Sequence, residues 1–459
     1  MATDPTPDPS SEDELVEIFK RAADGLPVRT EALIAGGLAR GRDRRRRRRA
    51  ALTGAAVALA LATAGGLLAN GLGNPPVTTS RALDLTAQSS PTVPARLDKS
   101  VNLLLIGLDS RKDLAGNDLP AQFVRDQLHA GSSAVGGYNT DTLILLHIPA
   151  DGGQVSGVSI PRDDYVQTYG VDGTNGTDGA KGPMDKIEGA YGIAMAAAQA
   201  KLTGHGLSAS QVEQQSREAG RAATLATVQN LLDVRIDHFA EVDLASFYDI
   251  VQAIGPVRVC LDHAVSDPAV RGQGSGADFA AGVNTLSPAQ ALAFVRQRHG
   301  LPGGDLDRIR RQQAFLASVR STLANAGVFA DLGRLRSLLD AVQKDVVIDD
   351  RWSALDFLRQ VPNLTGSEVS YSTLPSDGVK TVHGMEVSMV DPTAAKAFVQ
   401  ARFAAPQAAT GTATATATAT ATGSPDTGGG GGGGGGGQAA VLAGRAGTTP
   451  QAGSPACVD

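Results

Sequence analysis

The sequence predicts an α/β fold, a three-layer α-β-α arrangement around a central mixed sheet, preceded by one transmembrane helix. Three observations predict it. Short continuous apolar runs, the mark of strands buried on both faces, recur between stretches of helical periodicity. Two of these runs are joined by a tight turn, so part of the sheet is antiparallel. Near the N-terminus a charge-free apolar stretch follows a dense run of arginines, the pattern of a membrane span.

Residues 1–49 carry eleven basic and nine acidic groups, with eight arginines between Arg40 and Arg49. They include one short amphipathic helix, over 13–23, and form a cytoplasmic basic segment. Residues 50–80 carry no charge. The most apolar part, 50–72, spans about 34 Å as a helix at roughly 1.5 Å per residue, enough for a hydrocarbon core of about 30 Å. The positive-inside rule places the arginines in the cytoplasm and everything after residue 72 outside. Arg48-Arg49-Ala50-Ala51-Leu52 loosely resembles a twin-arginine export signal, with Ala62-Thr63-Ala64 as a cleavage site. The long N-terminal lead and the apolar sequence past Ala64 favour an uncleaved anchor instead. Topology also explains the arginines without a DNA contact.

Residues 73–96, rich in Pro, Thr, Ser and Ala, read as an extracellular linker, and the folded domain is expected over 97–403. It opens with strands over 101–108, 141–148 and 154–160, the last two joined through Asp151-Gly152-Gly153 as a hairpin. Helical periodicity occupies 186–202 and 209–232. A strand at 235–242, a helix at 244–254 and a strand at 257–261 follow. Ser287 caps a helix over 288–298 that has Pro288 in its first turn, and a long helix covers 305–326. Further strands are expected at 368–374 and 385–390. Residues 404–459, with an Ala-Thr alternation and a glycine run, form a tail that cannot offset the cost of ordering by burial.

The formal charge is −6, and everything beyond the apolar stretch carries a net −8, which excludes a globally basic nucleic-acid binder. Seven scattered histidines form no zinc pattern. Cys260 and Cys457 suit an oxidising exterior, either as one disulfide or as two free thiols.

Five clusters carry chemistry. Gly107-Leu108-Asp109-Ser110-Arg111 ends a buried strand, where open α/β sheets bind ligands. Asn139-Thr140-Asp141-Thr142 opens the next strand, so Asp109 and Asp141 are placed to share one hard divalent cation. Pro161 ends a ladder and lets Arg162 project from the sheet edge, with Asp163 beside it. Lys186 is expected in the first turn of a helix, unfavourable for the dipole unless an anion binds there. Last, Val295-Arg296-Gln297-Arg298 precedes Asp305-Leu306-Asp307-Arg308-Ile309-Arg310-Arg311-Gln312, whose Arg308, Arg311 and Gln312 share one helix face at i, i+3 and i+4. Guanidinium forks match phosphate oxygens bidentately. With the Asp pair they point to a divalent cation and a polyphosphate.

These blocks, over about residues 100–323, resemble the LytR-CpsA-Psr family of membrane-anchored cell-envelope phosphotransferases, of the actinobacterial type. The resemblance rests on 104–111, 141–162, 238–243, 286–298 and 304–313 in that order. It implies transfer of a glycopolymer, such as teichoic acid or a wall polysaccharide, from a polyprenyl-pyrophosphate carrier to a peptidoglycan hydroxyl. The lipid would lie in an apolar cleft with the pyrophosphate at its mouth. Asp109 and Asp141 match the family's Mg²⁺-binding aspartates, where Mn²⁺ can substitute. Arg162, Arg296, Arg298 and Arg308 match its phosphate-clamping arginines, with Lys186 and Gln312 as further head-group contacts. Arg111 and Asp163 match motif positions of less defined role. Asn139 stands where the family often has Arg, and Glu188 where it has Asn. Arg162→Ala is expected to cost orders of magnitude in turnover and leave the fold intact. The general base stays open between Asp163, Asp109 and the substrate's own phosphate. Two other readings use the same residues: an envelope sensor or attenuator that binds the lipid without turnover, and a pyrophosphate hydrolase with water as acceptor. No nucleic-acid partner is expected.

Overall fold

The computed structural model describes residues 78–89, 100–114, 116–129, 138–150, 153–170, 181–270, 274–328, 331, 333–334, 337–338, 343–351, 369–404 and 455–459. All belong to one unit, Leu52–Asp459. Residues 1–49, the expected span at 50–72 and residues 405–454 lie outside the described residues. Among the described residues no helix is long and apolar enough to cross a membrane.

In chain order the elements begin with β1 (Thr78–Ser80), α1 (Ala82–Ser89), β2 (Val101–Asp109), α2 (Ala121–Asp126), β3 (Asn139–Ile148), β4 (Val155–Ile160), β5 (Asp164–Tyr169) and β6 (Lys181–Lys186). Two helices follow, α3 (Gly189–Leu202) and α4 (Ala209–Leu232), then β7 (His238–Asp243), α5 (Leu244–Ile254), β8 (Val257–Leu261), β9 (Val265–Asp267), β10 (Ala277–Phe279) and β11 (Gly282–Leu286). The chain continues through α6 (Pro288–Arg296), α7 (Asp305–Asn325), β12 (Val347–Asp349), β13 (Val369–Thr373), β14 (Val379–Val382), β15 (Met385–Met389), α8 (Pro392–Ala404) and β16 (Cys457–Val458).

The central sheet has the order β1-β12-β7-β2-β3-β4-β13 and is mixed, as expected. β2 pairs with β7 in parallel and with β3 in antiparallel register, and β3 and β4 form the anticipated hairpin. Successive side chains of a strand point to opposite faces. Leu103 and Leu105 therefore join one core with Val251, Phe294 and Phe315, while Leu104 and Ile106 join another with Leu225, Val228 and Val399. Helices α5, α6 and α7 cover the first face; α1, α4 and α8 cover the second. Each fully buried Leu or Ile contributes roughly 1.5–3 kcal/mol, which fixes the register, because a one-residue slip would exchange the two cores.

Four expectations are corrected. The supposed linker at 73–96 contains β1, which pairs with β12, and α1, whose Ala82 and Leu83 are buried in the second core. The helix expected from Lys186 starts at Gly189, and Lys186 ends β6 instead of standing in its first turn. The helix over 288–298 ends at Arg296. The end of the tail is ordered: β16 adds to β8, and Cys457 forms a disulfide with Cys260.

That disulfide closes a loop of 197 residues. Cys457→Ser is expected to lower stability by about 5 kcal/mol through the added entropy of the unfolded chain. Thermal unfolding with and without reductant checks it: reductant should bring the wild type down to the variant's midpoint and leave the variant unmoved.

Candidate active site

The middle of the sheet ends in carboxylates. Asp109 closes β2 and pairs in register with Asn139, the first residue of β3. A register shift between Gly107 and Leu108 bulges β2 just before its end, a feature that re-aims the side chains beyond it. Gly107 is required there, because a Cβ would meet that of Thr142 at 2.9 Å. Asp109 and Asp141 thus stand on neighbouring strand ends, as the sequence suggests.

Arg162 and Asp163 form the turn between β4 and β5. Glu188 ties that turn to β3 through its backbone. Its N–H donates to the Arg162 carbonyl at 3.2 Å, and its own carbonyl accepts from the Thr140 N–H at 3.2 Å. Arg162 is the hub of the charges. Its Nη1 lies 2.5 Å from Asp141 and 3.0 Å from Glu188, and its Nε lies 3.7 Å from both Asp163 and Asp305. Lys186 donates to Asp163 at 2.5 Å. Arg308, its side chain only 2% exposed, reaches Asp305 at 2.6 Å and the Asp141 carbonyl at 3.4 Å. The more open Arg298 sits 3.8 Å from Asp163 and 3.9 Å from Asp305. Arg111 pairs with Asp109 at 3.7 Å, and the Arg296 Nη1 donates to the Leu128 carbonyl at 2.6 Å.

Two expected residues stand apart. The Asn139 amide oxygen lies against Gly192 of α3, and among the described residues no hydrogen bond links it to the cluster. Arg311 does not share the face of Arg308. It donates to Gln297 Oε1 at 2.6 Å and to the Asp459 carbonyl at 2.6 Å, and covers the Phe294 ring at 5.2 Å. Gln312 remains on the expected side and donates to the Val295 carbonyl at 3.3 Å.

Beneath the charges runs an apolar cleft between the first face of the sheet and helices α5 and α7. Leu105, Ile144, Phe247, Val251, Phe315 and Val319 line it, with Asp109, Asp141, Arg296, Arg308 and Gln312 at its polar mouth. Six cations (Arg111, Arg162, Lys186, Arg296, Arg298, Arg308) meet five carboxylates (Asp109, Asp141, Asp163, Glu188, Asp305). Asp109 Oδ1, Asp305 Oδ2, Arg162 Nε and Arg308 Nε are buried without hydrogen-bond partners, while Asp305 Oδ1 is held by ion pairs alone. A buried polar group left unpaired costs about 1–3 kcal/mol, so this arrangement has the form of a site awaiting a ligand.

Electrostatics separate the two aspartates. Burial pushes the Asp109 carboxyl above its ordinary range, and the charge of Asp141 adds to that. Burial acts the same way on Asp141, but Arg162 and Arg308 outweigh it and hold Asp141 below its ordinary value. Burial raises Glu188 to about 7, with Asp141 and Asp163 pushing upward against Arg162 and Lys186. Asp164, behind the turn, is raised well above the carboxylate range by burial.

Two carboxylates on adjacent strand ends, one with a buried oxygen lacking a partner, fit an oxygen-preferring divalent cation, which takes one or two carboxylates plus substrate phosphates. Among the described residues no group of three candidate ligands forms, so a cation here depends on oxygens from a substrate or water.

The LytR_cpsA_psr family model matches residues 77–403, most of the chain. The chain belongs to that family. It is 38% identical over 306 residues to a cell wall biosynthesis protein, LcpA, of Corynebacterium glutamicum, an alignment covering 66% of this chain and 55% of that protein. It is 27% identical over 241 residues, 52% of this chain, to the polyisoprenyl-teichoic acid–peptidoglycan teichoic acid transferase TagU of Bacillus licheniformis, covering 64% of the latter. The chain therefore spans between about half and two thirds of these relatives. Similar solved chains include protein gbs0355 of Streptococcus agalactiae, with TM-score 0.47 and 20% identity over 66% of this chain and 88% of that one. B. subtilis TagV gives 0.43 and 20% over 66% and 97%.

In this LytR_cpsA_psr protein the structure adds to the cluster one residue that sequence reasoning passed over, Asp305, and gives Glu188 a definite partner. Asp305 meets three of the arginines, yet an acidic residue in the first turn of a helix is ordinarily read as complementing the dipole. Glu188 is a direct partner of Arg162. The sequence marks Glu188 only as a departure from the family's Asn, and no local pattern announces its backbone tie between β3 and the 160s turn.

Proposed function

We propose that this protein is a membrane-anchored phosphotransferase that moves a glycopolymer from a polyprenyl-pyrophosphate carrier to a peptidoglycan hydroxyl. The observation that carries the reading is an apolar cleft with Arg296 and Arg308 at its mouth and the Arg162 cluster beside it, where Arg162 Nε and Arg308 Nε lack hydrogen-bond partners, complementary to a lipid tail with a pyrophosphate head. The names borne by the relatives, cell wall biosynthesis for LcpA and teichoic acid transfer to peptidoglycan for TagU, support it. So does the disulfide, which suits an exported domain. In this reading residues 50–72 anchor the chain, 1–49 stay cytoplasmic and the folded domain lies outside.

The acceptor hydroxyl oxygen bonds to the sugar-side phosphorus. The bridging P–O bond breaks, and its electron pair leaves with polyprenyl monophosphate, which also takes the hydroxyl proton. Phosphoryl transfer asks mainly for positioning and charge stabilisation. Arg162 and Arg308 sit where both phosphates can be held, Arg296 faces the mouth from α6, and Arg298 with Lys186 closes the outer side. Mg²⁺ bound by Asp109 and Asp141 would neutralise charge on the pyrophosphate oxygens.

The test is release of polyprenyl monophosphate by the full-length chain from a lipid-pyrophosphate-linked sugar, with and without a peptidoglycan strand and Mg²⁺. Mg²⁺-dependent release that rises with acceptor is expected. Lipid binding without any release would instead make the protein a sensor, and release indifferent to acceptor a hydrolase. A fragment 97–403 is unsuitable, since it lacks β1, α1 and Cys457.

Glu188 gives the site a pH dependence. Below about pH 7 its carboxyl is protonated and the cluster carries one more net positive charge; above it the carboxylate repels the pyrophosphate. Donor KM should therefore rise by roughly fivefold as pH passes through 7, about 1 kcal/mol for one added charge in a partly solvated site. Glu188→Gln should flatten that rise. A variant that keeps the wild-type profile would remove Glu188 as its source.

A further inference from the structure

Across α5 from the apolar cleft lies a second, wider opening of about 1040 Å³. Helix α5 divides the two: Leu244, Phe247 and Val251 face the cleft, whereas Ala245, Ser246 and Asp249 face the groove. The opposite wall is α4, with Gln214, Gln215 and Arg217. Its rim is the segment that leaves β2 after Asp109 and passes through Asp113, Leu119 and Phe123, so the groove borders the reaction centre through that segment.

Its chemistry differs from that of the cluster. Arg221 pairs with Glu218 at 2.9 Å, and Lys344 lies 3.6 Å from Asp249 and 3.4 Å from Asp345. With Arg81, Asp113 and Arg217 the lining holds four cations and four carboxylates, so an ionised ligand gains little there. An uncharged polar one gains more. Arg217 is 1% exposed, and its Nη1 is buried without a partner, although its Nε is held by Glu213 at 3.0 Å and its Nη2 by the Asp113 carbonyl at 2.9 Å. Asp345 Oδ2 is likewise buried and unpaired. Both atoms are closed off from the groove, so it is the exposed amides of Gln214 and Gln215 that offer a ligand donors and acceptors together. Leu119 and Phe123 supply apolar surface for the C–H face of a sugar ring.

Position selects the role. Attacking and leaving oxygens lie roughly in line in phosphoryl transfer, so a leaving lipid phosphate on the cleft side of α5 requires the nucleophile to arrive from another side. We propose that this groove holds the acceptor, an uncharged N-acetylated glycan strand whose hydroxyl reaches the phosphorus past the segment 109–113. The inference rests on the transferase reading above and adds to it the place and chemical class of the acceptor.

The probe is a soluble N-acetylglucosamine tetramer, titrated calorimetrically into the full-length chain, followed by acceptor KM with an uncrosslinked peptidoglycan strand. Two variants test the wall: Gln214→Ala with Gln215→Ala, which removes both amides, and Gln215→Trp, which fills the groove. Both positions are exposed on α4, and unchanged circular dichroism will show that the fold is kept. The wild type should bind the tetramer, the variants at least tenfold more weakly, with acceptor KM rising in parallel. Equal binding by variants and wild type, or none by the wild type, while the lipid donor is still cleaved, would overturn the groove and leave the transferase reading standing. A wild type that cleaves no donor overturns the transferase reading and the acceptor assignment with it.

Discussion

Arg162→Ala should lower turnover by about 10³-fold, the range seen when one charge-stabilising donor is removed from a preorganised site. The geometry explains why this arginine matters more than its neighbours, because its guanidinium alone touches Asp141, Asp163, Glu188 and Asp305. The same geometry revises the expectation that the fold is untouched. Removing the hub takes away the guanidinium between Asp141 and Glu188 and leaves them only the weaker influence of Arg308 and Lys186, and losing one partner of a buried pair in that way costs roughly 3–5 kcal/mol. Two effects are therefore predicted, and the double variant Arg162→Ala with Glu188→Gln separates them. Its unfolding midpoint should return most of the way to wild type, because the unpaired carboxylate is gone, while its turnover stays near that of the single variant. Arg162→Lys should keep the midpoint and still lose much of the rate, since an ammonium cannot bridge two oxygens as a fork does. Turnover restored in the double variant would reduce Arg162 to a structural residue.

How much of this was legible follows from what each residue does locally. Asp109, Asp141 and Arg162 could be placed because a strand's period and a proline at its end determine where the chain stops, and strand ends are where this fold binds ligands. Arg311 was misplaced because i, i+3 and i+4 leave room for error. At about 100° per residue, Arg311 and Gln312 lie on either side of Arg308, far enough apart for one to enter the cleft and the other to leave it. β1 and β16 have three and two residues, too few to show any period, and both are fixed by partners distant in sequence. The pairing of Cys260 with Cys457 is of the same kind: nothing local dictates it, and β16 lying alongside β8 does. The groove behind α5 was invisible for another reason. Its lining comes from segments between residues 78 and 345, with no motif in any of them.

Asp109→Asn should reduce Mg²⁺-dependent release by at least about 10²-fold, and the decisive readout is stability rather than rate. Asp109 Oδ1 is buried with no hydrogen-bond partner, close to a second carboxylate, which is unfavourable for the folded chain until a cation arrives. A cation that binds only the folded state stabilises it by RT ln(1 + [L]/Kd), about 2.7 kcal/mol at a hundredfold excess over Kd. The wild type should therefore unfold at a higher temperature as Mg²⁺ is added, with Mn²⁺ acting similarly and a monovalent salt of equal ionic strength not at all. Asp109→Asn removes one of two ligand carboxylates and relieves the crowding of charge at once. Its midpoint without metal should match or exceed that of the wild type, and it should not respond to Mg²⁺. The two halves of that result depend on different physics, loss of repulsion and loss of ligation, so both must appear together if Asp109 and Asp141 hold the cation. A variant that still gains stability from Mg²⁺ would place the metal elsewhere, on the phosphates alone, and would leave Asp109 to orient Arg111.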